Sequence, residues 1–242
     1  MRHFASRLRF ADQRSAKNGA KNGAASRQKP FLASLAILCA AVCLLQGPPA
    51  KADPVRIVAF GDSLTAGLGL APQEAFPSKL AAALRAKGYD VVIANAGVSG
   101  DTTADALARL DWSVPAGTQA VILEFGANDA FRGVLPAIVS QNLDEIIRRL
   151  QARQVEVLLA GMYAPRNLGA DYAGAFDGIY PTLAKKYGLI FIPFFLKGVA
   201  GDAALNQADG IHPTAVGVDA VVKMVLPSAE ALIQRVRTRK AS

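Results

Sequence analysis

Short apolar runs alternate with longer amphipathic segments along residues 53–242. Five runs are almost continuously apolar, which is typical of parallel strands buried on both faces. The predicted strands are Val55–Phe60, Val91–Ala94, Ala120–Phe125, Val155–Ala160 and Leu189–Ile192. The predicted helices are Phe76–Lys87, Thr103–Asp111, Leu135–Arg153, Tyr172–Tyr187 and Pro213–Val236, with Pro213 as a first helical residue. This order predicts one α/β domain, a three-layer α/β/α sandwich with a five-stranded parallel sheet.

Residues 1–52 differ in character from the rest of the chain. Phe31–Leu45 is a run of 15 uncharged residues that follows a basic stretch, and Ala50-Lys51-Ala52 supplies a small-residue cleavage site. A helix that crosses a bilayer needs about 20 apolar residues, so the pattern favours a signal peptide that is cleaved after Ala52. An uncleaved membrane anchor and a translation start further along the chain are the alternatives. The domain itself is then predicted to be residues 53–242.

The positive charge of the chain lies in the same leader. The formal charge is +8, but nine of the 27 lysines and arginines and one of the 19 acidic residues fall within residues 1–52, which leaves 18 of each in the domain. A domain without net charge has no field that attracts phosphates, so nucleic acid is not an expected partner. Both cysteines, Cys39 and Cys43, also lie in the leader, so no disulfide is expected in the domain. The sequence shows no metal-ligand cluster, and we expect no cofactor.

Polar and glycine-containing segments follow the first three predicted strands. In open α/β sheets the chemistry gathers in the loops at the carboxyl ends of the strands. The three segments are Gly61-Asp62-Ser63, Asn95–Asp101 with Gly97 and Gly100, and Gly126-Ala127-Asn128-Asp129. Each alone also fits an ordinary strand-end turn, a helix cap or an Asx turn. A phosphate-binding loop is not favoured, because no P-loop lysine or dinucleotide fingerprint accompanies the glycines.

A fourth segment, Asp209-Gly210-Ile211-His212-Pro213, precedes the last predicted helix. His212 is the only histidine within residues 53–242. A serine hydroxyl needs a base that is neutral near pH 7, and imidazole meets that need. Asp209, three residues earlier, is a candidate to orient the imidazole and to stabilise its protonated form. Taken alone, this segment equally fits a capped helix with a solvated turn residue.

The four segments together closely resemble the conserved blocks of the SGNH (GDSL) hydrolases, in the same order. The resemblance covers Val55–Val236 and implies a flavodoxin-like SGNH hydrolase fold. It implies that Ser63 is the nucleophile, that His212 is the general base and that Asp209 orients it. It also implies that the backbone N–H groups of Ser63 and Gly100 and the Asn128 amide bind the oxyanion. The Ser-Gly-Asp-Thr stretch at 99–102 resembles the thioesterase I/lysophospholipase L1 branch, which commonly has glycine where this chain has Ala127.

Two loops are candidates to line an acyl pocket. Phe131 and Leu135 lie in one, and Met162 and Tyr163 in the other, although all four equally suit plain helix packing. The predicted activity is hydrolysis of small-molecule or lipid acyl esters by an exported, monomeric enzyme with at most transient membrane-surface contact. A carbohydrate O-deacetylase is one alternative, although Trp112 is the only tryptophan available as a sugar platform. A non-catalytic binding module is the other.

Overall fold

A five-stranded parallel sheet runs through the part of the chain that the computed structural model describes, residues 53–241. Its strands are β1 (Val55–Gly61), β2 (Val91–Gly97), β3 (Ala120–Glu124), β4 (Glu156–Ala160) and β5 (Ile190–Ile192). They lie in the order β2-β1-β3-β4-β5, the doubly wound order typical of flavodoxin-like folds. The predicted α/β class and parallel sheet are therefore confirmed. The predicted signal peptide, residues 1–52, lies outside the described residues.

Helices cover both faces of the sheet. They are α1 (Ser63–Ala66), α2 (Phe76–Ala86), α3 (Thr103–Ser113), α4 (Ala127–Phe131), α5 (Pro136–Ala152), α6 (Ala170–Asp177), α7 (Ile179–Tyr187) and α8 (Ala215–Ala241), with a short 3₁₀ turn at Arg166–Leu168. One layer is formed by α2 and α8, and the other by α3, α5 and α7. Between residues 53 and 241, no helix combines the length and the apolar composition that a bilayer crossing requires.

The apolar spacing of each helix explains which face it buries. In α5, apolar residues recur at intervals of three and four, and five of them are completely buried: Val139, Leu143, Ile146, Ile147 and Leu150. Helix α3 begins where Thr102 and Asp105 form a reciprocal capping box, so the N-cap is Thr102. The strands supply the other half of the core, because β3 is buried along its whole length.

Two of the predicted helices differ from the structure by more than a shift of one or two residues at an end. The predicted helix Tyr172–Tyr187 is wrong as a single element, since it divides at Gly178 into α6 and α7. Pro181 has no N–H to donate to a carbonyl four residues earlier, so a continuous helix would lose a bond there. The prediction of Pro213 as a first helical residue is also wrong. Pro213 pairs with Asn206 in an isolated bridge, and α8 begins at Ala215, with the Thr214 hydroxyl accepting a hydrogen bond from the N–H of Gly217.

The register of the strands aligns the ends from which the loops emerge. Gly61, the last residue of β1, pairs with Gly97 at the end of β2 and with Glu124 at the end of β3. The segments that follow these three residues therefore leave the sheet side by side at one edge. They are the segments that the sequence marked as candidates for chemistry.

Candidate active site

Ser63 lies at the first turn after β1. The chain leaves β1 at Gly61, and the Asp62 carboxylate caps the short helix α1 by accepting a hydrogen bond from the N–H of Leu64 (3.0 Å). Ser63 is the first residue of that helix and is 8% exposed. Its hydroxyl therefore stands at the edge of the sheet on a backbone that both β1 and the cap hold in place.

His212 reaches the same point from the other end of the domain. Its Nε2 lies 2.8 Å from Ser63 Oγ, and its Nδ1 lies 2.7 Å from Asp209 Oδ2. An ionised carboxylate only accepts hydrogen bonds, so Nδ1 carries the proton in this arrangement. In the neutral imidazole Nε2 is then an acceptor, and the Ser63 hydroxyl donates to it. The three predicted side chains are thus joined by two hydrogen bonds.

The loop around Asp209 favours its ionised form. The N–H of His212, the imidazole and the N–H of Ile211 all donate to the carboxylate, and they lower the pKa of Asp209 to about 2. Its side chain is 43% exposed, so solvent weakens each of these interactions. Even so, the direction of the change keeps a negative charge beside Nδ1 at neutral pH, where it opposes rotation of the ring.

Asn128 extends from the start of α4 toward Ser63. Its Nδ2 donates to Asp62 Oδ2 (3.1 Å) and to the backbone oxygen of Asp101 (3.0 Å). Both amide hydrogens therefore have acceptors inside the protein, and these acceptors fix the orientation of the side chain. Asp62 is fully buried, and this burial raises the pKa of its carboxyl group to about 6, although the hydrogen bond from the N–H of Leu64 and the proximity of His212 act in the opposite direction.

Gly100 lies in a tight turn directly after β2. The N–H of Asp101 donates to the backbone oxygen of Val98 (3.2 Å), and Gly100 has a φ of 88°. Only glycine adopts that conformation without strain in the third position of such a turn. Arg132 donates to the backbone oxygen of Gly100 from outside (2.7 Å). The turn is therefore held on both sides, and Gly100 is two residues from the threonine that caps α3.

A buried carboxyl group lies behind the serine turn. Glu124 is fully buried and accepts a hydrogen bond from the Thr65 hydroxyl (2.7 Å). It lies so close to Gly61 that a Cβ at that position would come within 2.1 Å of Thr65 Oγ1 and 2.6 Å of Glu124 Oε2. Only glycine fits at position 61, because any side chain there would displace the turn that carries Ser63. This is the structural reason for the first residue of the Gly-Asp-Ser motif.

A cleft of about 300 Å³ opens beside these groups. Ser63, Asn128 and His212 contribute polar groups to its lining, and most of the other side chains are apolar: Leu64, Ala127, Phe131, Met162, Tyr163, Pro165, Phe194, Leu196, Ala200 and Ile211. Tyr163 stacks on Phe194, with 4.6 Å between the ring centroids. Of the four predicted pocket residues, Phe131, Met162 and Tyr163 line this cleft.

Leu135, the fourth predicted pocket residue, does not line the cleft. It is 67% exposed and immediately precedes α5. The chain turns back between α4 and α5, where the N–H of Val134 donates to the backbone oxygen of Asp129 (2.9 Å). Leu135 follows this turn as the N-cap residue of α5.

The sequence interpretation missed three charged residues around this site. The sequence shows Asp62 only as part of the Gly-Asp-Ser segment and Glu124 only as part of the predicted apolar strand Ala120–Phe125. An acidic residue inside the run Ala120–Phe125 was the available signal, because a carboxyl group at the end of a buried strand is unusual. Arg109 gave no signal in the sequence.

Within residues 53–241, no three His, Cys, Asp or Glu side chains cluster as they would around a metal ion.

Known proteins resemble this chain over most of its length. A family model, the GDSL-like Lipase/Acylhydrolase family, matches residues 59–220. Esterase TesA of Pseudomonas aeruginosa is 36% identical over 196 residues, which are 81% of this chain and 96% of that protein. Thioesterase 1/protease 1/lysophospholipase L1 of Escherichia coli K12 is 37% identical over 171 residues, 70% of this chain and 80% of that protein. The crystal structure of AlinE4, an SGNH-hydrolase family esterase, is 46% identical, covers 75% of this chain and 98% of its own, and gives a TM-score of 0.64.

The chain therefore belongs to the GDSL-like lipase/acylhydrolase family and has the SGNH-hydrolase fold. Within that family it is a carboxylic-ester hydrolase, because its relatives are esterases and the family model covers the central part of the domain.

Proposed function

We propose that this esterase cleaves acyl esters through a triad of Ser63, His212 and Asp209 with a covalent acyl-enzyme intermediate. The observation that carries the proposal is the hydrogen bond from Ser63 Oγ to His212 Nε2 (2.8 Å), with Asp209 on the other nitrogen of the ring (2.7 Å). A nucleophile bonded to a base, which is itself held by a third group, is the arrangement that activates a serine.

The steps follow from these contacts. Ser63 Oγ attacks the ester carbonyl carbon while its proton passes to His212 Nε2, and the carbonyl oxygen becomes an oxyanion. The C–O bond to the leaving alcohol then breaks, and His212 returns the proton to the alcohol oxygen. Water repeats the sequence on the acyl-enzyme and releases the acid. Asp209 stabilises the imidazolium in both halves and keeps its own negative charge throughout.

The oxyanion donors in this proposal are the N–H groups of Ser63 and Gly100 and the amide of Asn128. Asn128 reaches the cleft, but both of its amide hydrogens already have acceptors. We infer that the oxyanion shares one of these hydrogens in the transition state. The cost of reorientation is small, because the amide is already fixed in place, and preorganised donors of this kind act on charge as it develops.

The cleft favours an apolar acyl chain. Its lining is largely aliphatic and aromatic, which suits a fatty-acyl group better than a sugar. Trp112, the one tryptophan, is 77% exposed and does not line the cleft, so the carbohydrate deacetylase reading lacks a sugar platform there. We propose a lipid or other envelope ester as the substrate, in keeping with the esterase and lysophospholipase names of its relatives.

We also propose that residues 1–52 direct export and are removed. The first strand begins at Val55, so cleavage after Ala52 leaves the whole sheet intact. The intact mass of the protein recovered from the cell envelope tests this proposal. A chain that begins at Asp53 supports it, whereas a full-length chain that stays in the membrane fraction supports an uncleaved anchor.

Hydrolysis of p-nitrophenyl esters from acetyl to palmitoyl tests the activity. The series is measured with the wild-type domain, Ser63→Ala and Ser78→Ala, a control in which an exposed hydroxyl bonded to the Pro72 carbonyl is removed. We expect Ser63→Ala to lose a factor of about 10⁴ or more in kcat and Ser78→Ala to match the wild type.

The chain-length optimum separates the alternatives. An optimum at medium or long chains supports the apolar acyl cleft, and an acetyl optimum supports a deacetylase. Activity that is equal in folded Ser63→Ala and in the wild type would overturn the triad. A wild-type protein that cleaves none of these esters would support a binding module.

A further inference from the structure

A guanidinium group lies beneath the active site without touching the cleft. Arg109, on α3, makes four hydrogen bonds. Its Nε donates to Asp101 Oδ2 (2.5 Å), Nη1 donates to the Ala96 carbonyl (2.9 Å) and to Ser113 Oγ (2.9 Å), and Nη2 donates to the Gly61 carbonyl (3.1 Å). The planar fork of arginine donors makes these contacts possible from one side chain.

The surroundings of Arg109 strengthen these bonds. The guanidinium carbon lies 4.6 Å from the ring centroid of Phe60 and 5.7 Å from that of Phe125. The side chains of Arg109 and Asp101 are only 12% and 14% exposed. Charge-assisted hydrogen bonds in a site that excludes water are stronger than their counterparts at the surface. Removing one partner therefore leaves the other buried and unpaired.

The groups that Arg109 binds belong to the segments that carry the reacting groups. Gly61 directly precedes Asp62 and Ser63, while Asp101 directly follows Gly100. The carbonyl of Asp101 in turn accepts from Asn128 Nδ2 (3.0 Å). One side chain thus connects the end of β1, the end of β2 and the turn after it.

We propose that Arg109 is a positioning residue that sets the distance between the serine nucleophile and the oxyanion donors Gly100 and Asn128. This inference rests on the proposed function of those residues. Arg109 does not need to contact the substrate, because its effect passes through the Gly61 carbonyl and through Asp101. A displacement of about 1 Å in such a site is enough to cost a factor of about 10² in rate.

The test compares Arg109→Lys and Arg109→Met with Arg85→Lys. Lysine keeps the charge but offers a single nitrogen, so it cannot bridge the three segments. Methionine keeps part of the volume and donates nothing. Arg85 is the matched control, since its Nε and Nη2 both donate to the Val91 carbonyl at the opposite end of β2 (3.2 and 3.0 Å). Each variant is assayed well below its melting temperature, with its fold checked by circular dichroism.

We expect kcat for a p-nitrophenyl ester to fall about 10- to 100-fold in Arg109→Lys and further in Arg109→Met, with KM changed less than about threefold. Arg85→Lys should keep the wild-type kcat. A purely structural role for Arg109 predicts a lower melting temperature with an unchanged kcat in the folded fraction, and that result would overturn the proposal.

A second measurement does not depend on ester turnover. The ¹⁵N–¹H signals of the Gly100 backbone amide and of the Asn128 side-chain amide should shift in Arg109→Lys and stay in place in Arg85→Lys. If these signals do not move, the positioning role is wrong even where the wild type is active. If they move but no variant, wild type included, cleaves esters, then the proposed function fails and the positioning role of Arg109 stands.

Discussion

Replacing Glu124 with glutamine tests whether the carboxyl group behind Ser63 is protonated in the folded protein. Glu124 is fully buried; its Oε2 accepts from the Thr65 hydroxyl (2.7 Å), and its Oε1 has no hydrogen-bond partner within residues 53–241. Burial raises the pKa of Glu124 well above its ordinary value of 4.5, and the nearby Asp62 carboxylate raises it further. Glutamine has the same shape and still accepts the bond from Thr65, but it cannot ionise.

The magnitude follows from the protons bound in the two states. Above pH 4.5 the unfolded chain releases the Glu124 proton while the folded protein keeps it, so folding takes up a proton. The free energy of unfolding then falls as the pH rises, by up to about 1.4 kcal/mol per pH unit, until the pH passes the folded pKa. Glu124→Gln removes this loss. Between pH 5.5 and 7.5, the variant should therefore gain up to about 2.7 kcal/mol relative to the wild type.

Urea unfolding followed by far-UV circular dichroism at pH 5.5, 6.5 and 7.5 measures this change. The quantity of interest is the change with pH rather than the absolute difference, because the glutamine amide also has hydrogens to satisfy. Asp62, whose pKa burial raises to about 6, adds a similar fall in both proteins and largely cancels in the comparison. Glu74→Gln is the control, since the Glu74 carboxylate accepts a hydrogen bond from the N–H of Ala71 near the surface.

A gap between Glu124→Gln and the wild type that widens with pH, while Glu74→Gln runs parallel to the wild type, supports a protonated Glu124. Parallel curves for all three proteins would refute the reasoning, because they would mean that Glu124 titrates alike in the folded and unfolded states.

Three further predictions concern the site and the core. Asp209→Asn should lower kcat by about 10⁴, because an amide does not hold the imidazole in the tautomer whose Nε2 accepts the Ser63 proton. The initial rate of p-nitrophenyl butyrate hydrolysis measures this loss. Asn128→Ala should lower kcat by about 10² to 10³ with little change in KM. A higher KM with an unchanged kcat would contradict the assignment of Asn128 as an oxyanion donor. Leu143→Ala, at a completely buried position of α5, should lower the free energy of unfolding by about 2–5 kcal/mol in urea titrations while kcat in the folded fraction stays unchanged.

Much of the architecture was predictable from the sequence because the spacing of apolar residues indicates which positions of each helix and strand are buried. The strand Ala120–Glu124 is buried at every position, and in the sequence all of its residues except Glu124 are apolar. The bounds of a helix were harder to predict where a glycine or proline interrupts a segment whose apolar spacing continues. The expected helix divides at Gly178, three residues before Pro181, which has no N–H to donate across that break, although the apolar spacing continues.

The candidate site was predictable only in part, for a physical reason. Ser63, Asn128 and His212 lie in segments that local sequence marks, and each lines the cleft. Arg109 depends on contacts to residues 8 and 48 positions away, which arise only once β1, β2 and α3 are assembled. The proximity of Glu124 to Gly61 likewise depends on the strand register, which no single segment encodes. Leu135 lies outside the cleft, at the residue before α5, and its apolar character alone did not indicate that position.

The two partners of the Ser63–His212 hydrogen bond are 149 residues apart in the chain. The amino-terminal part of a protein is made, and begins to fold, before the rest. The nascent domain therefore holds the serine hydroxyl long before the ribosome has added the only histidine of residues 53–242. In the proposed mechanism, a chain that ends before His212 has the serine nucleophile but no base to activate it. Under the proposed mechanism, esterase activity therefore requires that synthesis has passed His212, so that a chain still being made is inactive.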